Sequence, residues 1–183
     1  MCALFEETGK YLAVRVMSST DSSFQIELDS GKRVKIKAAN VLLQFEKPTP
    51  GQLISEAQNL CKTMDAALAW ECSPDDEFGF ADLAHDSFDD KASAAQQAAA
   101  LFCLFESPHY FRRAGKGRFK KAAPEIVQQA LLAIEKKKQV QLQISEWALA
   151  LASGQCPAPI KEQLFKILFK PDKNAAEYKA VVE

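Results

Sequence analysis

The sequence predicts an α+β protein: a small SH3-like β-barrel (residues 1–47), a winged helix-turn-helix (50–123) and a helical extension (124–183). Three observations carry this. The first 45 residues hold short runs of period-two alternation separated by turn residues. A helix, a short helix and a third helix follow in that order. Then comes HYFRRAGKGRFKKAA, residues 109–123, in which Gly115-Lys116-Gly117 joins two aromatic and basic strands, 110–114 and 118–122.

In the first block, residues 11–16, 24–28 and 33–37 alternate. The period of two sets Val34 and Ile36 on one face and Arg33, Lys35 and Lys37 on the other. Ser19-Thr20-Asp21-Ser22 and Asp29-Ser30-Gly31-Lys32 read as turns. Residues 41–45 read as the closing strand. The basic stripe Lys32, Arg33, Lys35 and Lys37 suits an RNA backbone, and it equally suits a solvated face that protects a sheet edge.

Thr49 is an N-cap, Pro50 fits the first helical position and Gln52 completes a capping box. Leu53, Ile54, Ala57, Leu60, Cys61, Met64 and Leu68 recur at helical spacing, which predicts one helix as far as about Trp70. A short helix begins near Phe80, with Leu83 and Ala84 inward. After a turn at Asp89-Asp90, Ser93 caps a third helix with Gln96 as its box partner; Ala94, Ala98, Leu101, Phe102 and Phe105 form its apolar stripe. That helix holds the recognition position, yet its polar face offers little beyond Gln96 and Gln97. It has no Arg or Lys for guanine edges, so sequence-specific major-groove readout fits poorly.

The basic hairpin carries Arg112, Arg113, Lys116, Arg118, Lys120 and Lys121 with no acid among them. The chain as a whole has a net charge of −1, so any attraction to nucleic acid is local to such a patch. These cations, with Lys35 from the barrel, are the candidate nucleic-acid contacts. Arg112 and Arg113 point to opposite faces of their strand, as do Lys120 and Lys121, so about half of the cations meet one ligand. Lys116, at the tip, is expected to be free. Phe111 and Phe119 fit either as stacking platforms or as the buried underside of the hairpin, with the underside favoured because a hairpin must bury one face.

The extension begins with Pro124 and Glu125. Ile126, Ala130, Ala133 and Ile134 face one way, and Lys136-Lys137-Lys138 is expected as a solvated turn. Val140, Ile144, Trp147 and Leu151 predict a further helix, stopped by Gly154 and Pro157. Ile160, Leu164, Ile167 and Leu168 mark another, ended by Pro171. Asn174 is the expected cap of a last helix, with Glu177 in its box position. That helix has barely begun at Glu183, so more chain is expected beyond it.

With 183 residues, 48% of them hydrophobic and 26% charged, the composition is ordinary, with no membrane-length apolar run and no signal-peptide layout. Five cysteines without a CxxC pair predict reduced thiols and a cytoplasmic location, with Cys61 and Cys103 as small buried hydrophobes. Two histidines make a zinc site improbable on ligand counting. Asp75, Asp76, Glu77, Asp82, Asp86, Asp89 and Asp90 read as a helix stop, a helix start and a turn, not as a metal centre. No nucleophile elbow, phosphate loop or Cys/His pairing is present, so neither catalytic nor metal-binding residues are assigned.

Nearly the whole chain resembles the N-terminal region of bacterial RNB-type exoribonucleases, the ribonuclease II and ribonuclease R family. The resemblance lies in the order of Lys10-Tyr11-Leu12-Ala13-Val14, Phe80-Ala81-Asp82-Leu83-Ala84, Tyr110-Phe111 in the wing, and Leu168-Phe169-Lys170-Pro171-Asp172-Lys173-Asn174 followed by Glu177-Tyr178-Lys179-Ala180. It implies a role in 3′-to-5′ RNA decay, with this region feeding single-stranded RNA to an RNB catalytic domain of the same polypeptide. It also implies Mg²⁺ at a clustered-aspartate centre in that domain. No residue here matches that centre, so the chain itself is assigned no cofactor. A stand-alone winged-helix regulator and a protein-interaction scaffold are the alternatives.

Overall fold

A computed structural model describes residues 1–28, 31–89 and 91–182. The fold is mixed α+β, and the chain divides into two compact units, 1–123 and 124–183. The turn expected at Asp29-Ser30, Asp90 and the terminal Glu183 lie outside the described residues.

The first unit opens with five antiparallel strands, β1 (Cys2–Glu7), β2 (Lys10–Thr20), β3 (Ser23–Glu27), β4 (Arg33–Lys37) and β5 (Val41–Phe45), in the spatial order β4-β3-β2-β1-β5. Thr8 and Gly9, both at positive φ, make the two-residue turn between β1 and β2. A 3-10 turn, Ala38–Asn40, leads into β5, which returns to pair with β1. One face of the sheet gathers Phe5, Val14, Phe24, Ile26 and Ile36 into a core of its own. The other face gives Cys2, Leu4 and Phe45 to a larger core shared with the helices. Strand β1 is buried on both faces. Ala3, Leu4 and Phe5 therefore form a continuous apolar run with no alternation to reveal the strand.

The helices of this unit are α1 (Pro50–Thr63), α2 (Ala66–Cys72), α3 (Phe80–Ser87) and α4 (Ala94–Glu106). The single helix expected as far as Trp70 is two. Asp65 interrupts it and caps α2, its carboxylate accepting from Ala67 N at 2.9 Å and Leu68 N at 3.2 Å. At α4 the capping box is complete: Ser93 Oγ accepts from Gln96 N, and Gln96 Oε1 accepts from Ser93 N at 2.7 Å. Every residue from Ala98 to Leu104 is buried, which at 100° per residue leaves no open face along that stretch. The expected stripe is thus too narrow: α4 is the central helix, packed against α1, α3 and the sheet. Two-residue β6 (Phe78–Gly79) and the hairpin β7 (Phe111–Gly115) and β8 (Arg118–Lys121) form a second antiparallel sheet in the order β6-β8-β7.

The second unit is helical: α5 (Pro124–Ala152), α6 (Ala158–Phe169) and α7 (Ala176–Val182). Lys136–Lys138 does not turn. Lysine is a good helix former, nothing in the run breaks a helix, and Gln139 Nε2 donates back to Glu135 Oε1 across it at 3.3 Å. Ile144, Ile160, Ile167 and Ala180 form the core, with Trp147, Leu151 and Tyr178 against it. Ile126, Ile134, Val140, Leu164 and Leu168, which contribute to the apolar spacing of these helices, are exposed, whereas Val127, outside that spacing, is buried. Asn174 does not cap α7: the helix begins at Ala176, with Lys179 N donating to the Ala175 carbonyl at 3.1 Å, and Asn174 lies in the turn before it, its N–H donating to Asp172 Oδ1 at 2.9 Å. Among the described residues no helix is long and apolar enough to cross a membrane.

Candidate nucleic-acid interface

The hairpin forms because Lys116-Gly117 is a tight turn and Gly117 sits at φ +66°. A β-carbon there would meet the Phe80 ring at 3.0 Å and Leu42 Cδ2 at 3.3 Å, so the tip lies pressed against both. Ala114 is an extra residue opposite the Arg113–Phe119 and Gly115–Arg118 pairs, a bulge in the outer strand. Phe111 and Phe119 are each 1% exposed; they are the underside of the hairpin and not stacking platforms. Phe78 pairs with Phe119 across β6 and β8, and its ring meets Phe111 edge-on at 6.0 Å. Tyr110, half-buried, lies against His109 and Trp70.

Alternation then divides the cations. Arg113 and Lys121 share the face of the phenylalanines and are engaged within the unit. Arg113 donates to Glu6 Oε2 at 2.5 Å and lies 5.6 Å from the centre of the Phe105 ring. The Glu6 carboxylate holds the Arg113 guanidinium protonated beyond its ordinary range. Beside this pair Tyr11 is half-buried, and that burial pushes its phenol up to about 12, with Arg113 pulling the other way. Lys121 donates to the Ser73 carbonyl at 3.2 Å, lies 3.6 Å from Asp75 and sits over the Trp70 ring. Trp70 in turn donates from Nε1 to the Ala122 carbonyl at 2.9 Å, which ties the end of the hairpin to α2.

Arg112, Arg118 and Lys120 occupy the other face. Arg118 is paired with Glu77. Arg112 and Lys120 stand directly opposite each other across the strands, both exposed, and among the described residues neither has an ion-pair or hydrogen-bond partner. Lys116, expected free at the tip, donates to Asn40 Oδ1 in the segment between β4 and β5. Lys35 is exposed on β4 opposite Gln25, on the face it shares with Arg33 and Lys37. The structure therefore leaves Arg112, Lys120 and Lys35 open, and ties Arg113, Lys116, Arg118 and Lys121 to groups elsewhere in the unit. Sequence alternation separates Arg112 from Arg113. It carries no sign of Glu6, Asn40 or Glu77, which come from elements far away along the chain.

The acids divide as well. Asp82 accepts from Gly79 N at 2.8 Å, Asp89 accepts from Lys91 N at 2.5 Å, and Glu77 and Asp75 face the hairpin cations. Asp86 and Asp65 instead rim a cavity of about 370 Å³ lined by Met64, Leu68, Ala69, Leu83 and Phe88. Among the described residues no group of three or more His, Cys, Asp or Glu is placed to hold a metal ion. All five cysteines are free. Cys61 donates to Glu106 Oε2 at 3.8 Å; burial, and then that carboxylate, push its thiol up to about 12. Cys103 beside it is raised for the same reasons.

Compared with protein-family models, curated proteins and solved structures, the chain has no match.

Proposed function

We propose that the chain is an RNA-binding accessory region that grips the backbone of single-stranded RNA through the outer face of the β7–β8 hairpin. The observation that carries this is the opposed, unpartnered pair Arg112 and Lys120. Like charges set directly across two strands repel, so such a pair costs stability unless an anion lies between them. A phosphate is that anion, and its negative charge turns the repulsion into a clamp. Lys35 supplies a third contact. The hairpin tip meets Asn40, three residues beyond Lys37, so the β4 cations continue from it.

A single strand fits better than a duplex for two reasons. The tip is tied to Asn40 and packed on Leu42, so it does not project into a groove. Helix α4 is buried from Ala98 to Leu104, and its half-buried first turn offers base edges only Gln96 and Gln97. In fold terms, we read the first sheet as an SH3-like barrel. Its meander order, the 3-10 turn before β5 and the return of β5 to β1 support that. We read α1–α4 with β6–β8 as a winged helix, supported by the placement of β6 beside β8. The resemblance to ribonuclease II-type enzymes then supplies the context: this region would feed RNA to a downstream RNB domain that carries the Mg²⁺-dependent chemistry.

The test is fluorescence anisotropy with a labelled single-stranded RNA and a duplex DNA of equal length. At low salt the RNA binds, the duplex binds more weakly, and Arg112→Gln with Lys120→Gln weakens RNA binding at least tenfold while the melting temperature does not fall. Absence of RNA binding at low salt, or preference for the duplex, overturns the reading.

A further inference from the structure

Arg118 stands two positions before Lys120 on β8 and on the same side of the strand. On that outer face it would be a further phosphate contact but for Glu77. The Glu77 carboxylate accepts from Arg118 Nε, and the Glu77 carbonyl accepts from Arg118 Nη2 at 3.4 Å. One residue thus covers an edge of the guanidinium with two acceptors, as a phosphate would. The sheet fixes Glu77 there. It immediately precedes β6, where Phe78 pairs with Phe119 and Gly79 with Arg118, so the chain before Phe78 runs back alongside β8. The pair is held lightly. Its side chains are 56% and 44% exposed, and an exposed ion pair adds little to stability. Among the described residues Arg118 Nη1 has no partner, and the Glu77 carboxylate has none but Arg118.

We propose that Glu77 is an internal stand-in for phosphate, which withholds Arg118 from RNA and so sets how tightly the hairpin holds a strand. The inference rests on the reading of the outer face of the hairpin as an RNA-binding surface. In the wild type Arg112, Lys120 and Lys35 grip the backbone, while the charge of Arg118 is cancelled in place by Glu77. A strand that reaches Arg118 finds its guanidinium already holding a carboxylate. A region that passes RNA onward must also release it, and an acid seated beside the clamp keeps the hold short. Removing that carboxylate frees Arg118 as a fourth contact, and most of the gain in affinity falls on the dissociation rate.

The experiment is fluorescence anisotropy on the full chain with a labelled single-stranded RNA at several salt concentrations. Glu77→Gln keeps the shape of the side chain and loses its charge. It binds about fivefold tighter at low salt, and its log–log slope steepens from about −2 to about −2.8, the share of a fourth phosphate. Glu77→Gln with Arg118→Gln returns affinity and slope to the wild-type values. Asp76→Asn removes the neighbouring exposed charge, which has no partner among the described residues, and changes affinity less than twofold. A Glu77→Gln variant that binds no tighter than the wild type overturns the inference and leaves the RNA reading in place. So does a gain that survives in the double variant, or one that Asp76→Asn reproduces, because either is the field of a lost charge and not the release of Arg118. A wild type without affinity for RNA overturns the inference together with the reading beneath it.

Discussion

Reversing Arg112 to Glu should strengthen the fold while it destroys RNA binding. Arg112 and Lys120 are cross-strand partners, so their β-carbons lie roughly 5 Å apart, and neither charge has another partner among the described residues. Exchanging a like pair for an opposite pair at that spacing is worth about 1 kcal/mol, which for a unit of this size raises the melting temperature by a few degrees. Lys120→Glu should do the same. Combining the two makes the pair like-charged again, and the gain should vanish. The cycle therefore yields a coupling energy of roughly 1–2 kcal/mol, which 1 M salt removes. Thermal unfolding followed by circular dichroism at low salt reads the stability, and anisotropy on the same samples reads RNA affinity, which falls in all three variants. If both single reversals lower the melting temperature, or if their effects add, the two side chains do not oppose each other and the clamp argument fails.

Arg113 is a control on the other face: Arg113→Ala should cost about 1 kcal/mol from the part-exposed Glu6 pair and the Phe105 contact, and leave the salt dependence of RNA binding unchanged. Phe119→Ala should cost roughly 3–5 kcal/mol, seen as a lower urea midpoint, because the ring is 1% exposed beneath the hairpin. Gly117→Ala combines a positive φ with a 3.0 Å approach to Phe80, and a loss of about 1–3 kcal/mol in the same assay is expected. The Cys61 thiol has its pKa raised in the folded protein to about 12, so the folded state holds a proton that the unfolded state releases first. Its contribution to stability is intact below the unfolded value near pH 9 and is lost as pH rises towards 12. The urea midpoint should thus fall less between pH 8 and pH 10.5 in Cys61→Ala than in the wild type.

The elements legible in the sequence are those whose signals are local. Ser93 with Gln96 announces α4, and Gly115-Lys116-Gly117 announces the hairpin. The alternation through Val34 and Ile36 announces β4. Strand β1 is hidden because burial on both faces erases its alternation. The break at Asp65 is hidden because an aspartate inside an apolar-periodic run looks like one more exposed position until its carboxylate turns back to Ala67 N. At the candidate site, alternation assigns Arg112 and Arg113 to different faces, and the aromatic underside follows from the need to bury one side of a hairpin. The neutralising partners Glu6, Asn40 and Glu77 lie 107, 76 and 41 positions away along the chain, and no local pattern signals such contacts. The concentration of charge in residues 112–121 therefore overstates what the folded surface offers a ligand.

The most direct measurement is the salt dependence of the dissociation constant for single-stranded RNA. Three backbone contacts, Arg112, Lys120 and Lys35, predict a log–log slope of the association constant against salt of about −2, similar for every RNA sequence. In Arg112→Gln with Lys120→Gln the slope should fall to about −0.7, the share of the one contact that remains. Binding that is insensitive to salt, or a slope that the double variant leaves unchanged, contradicts the account.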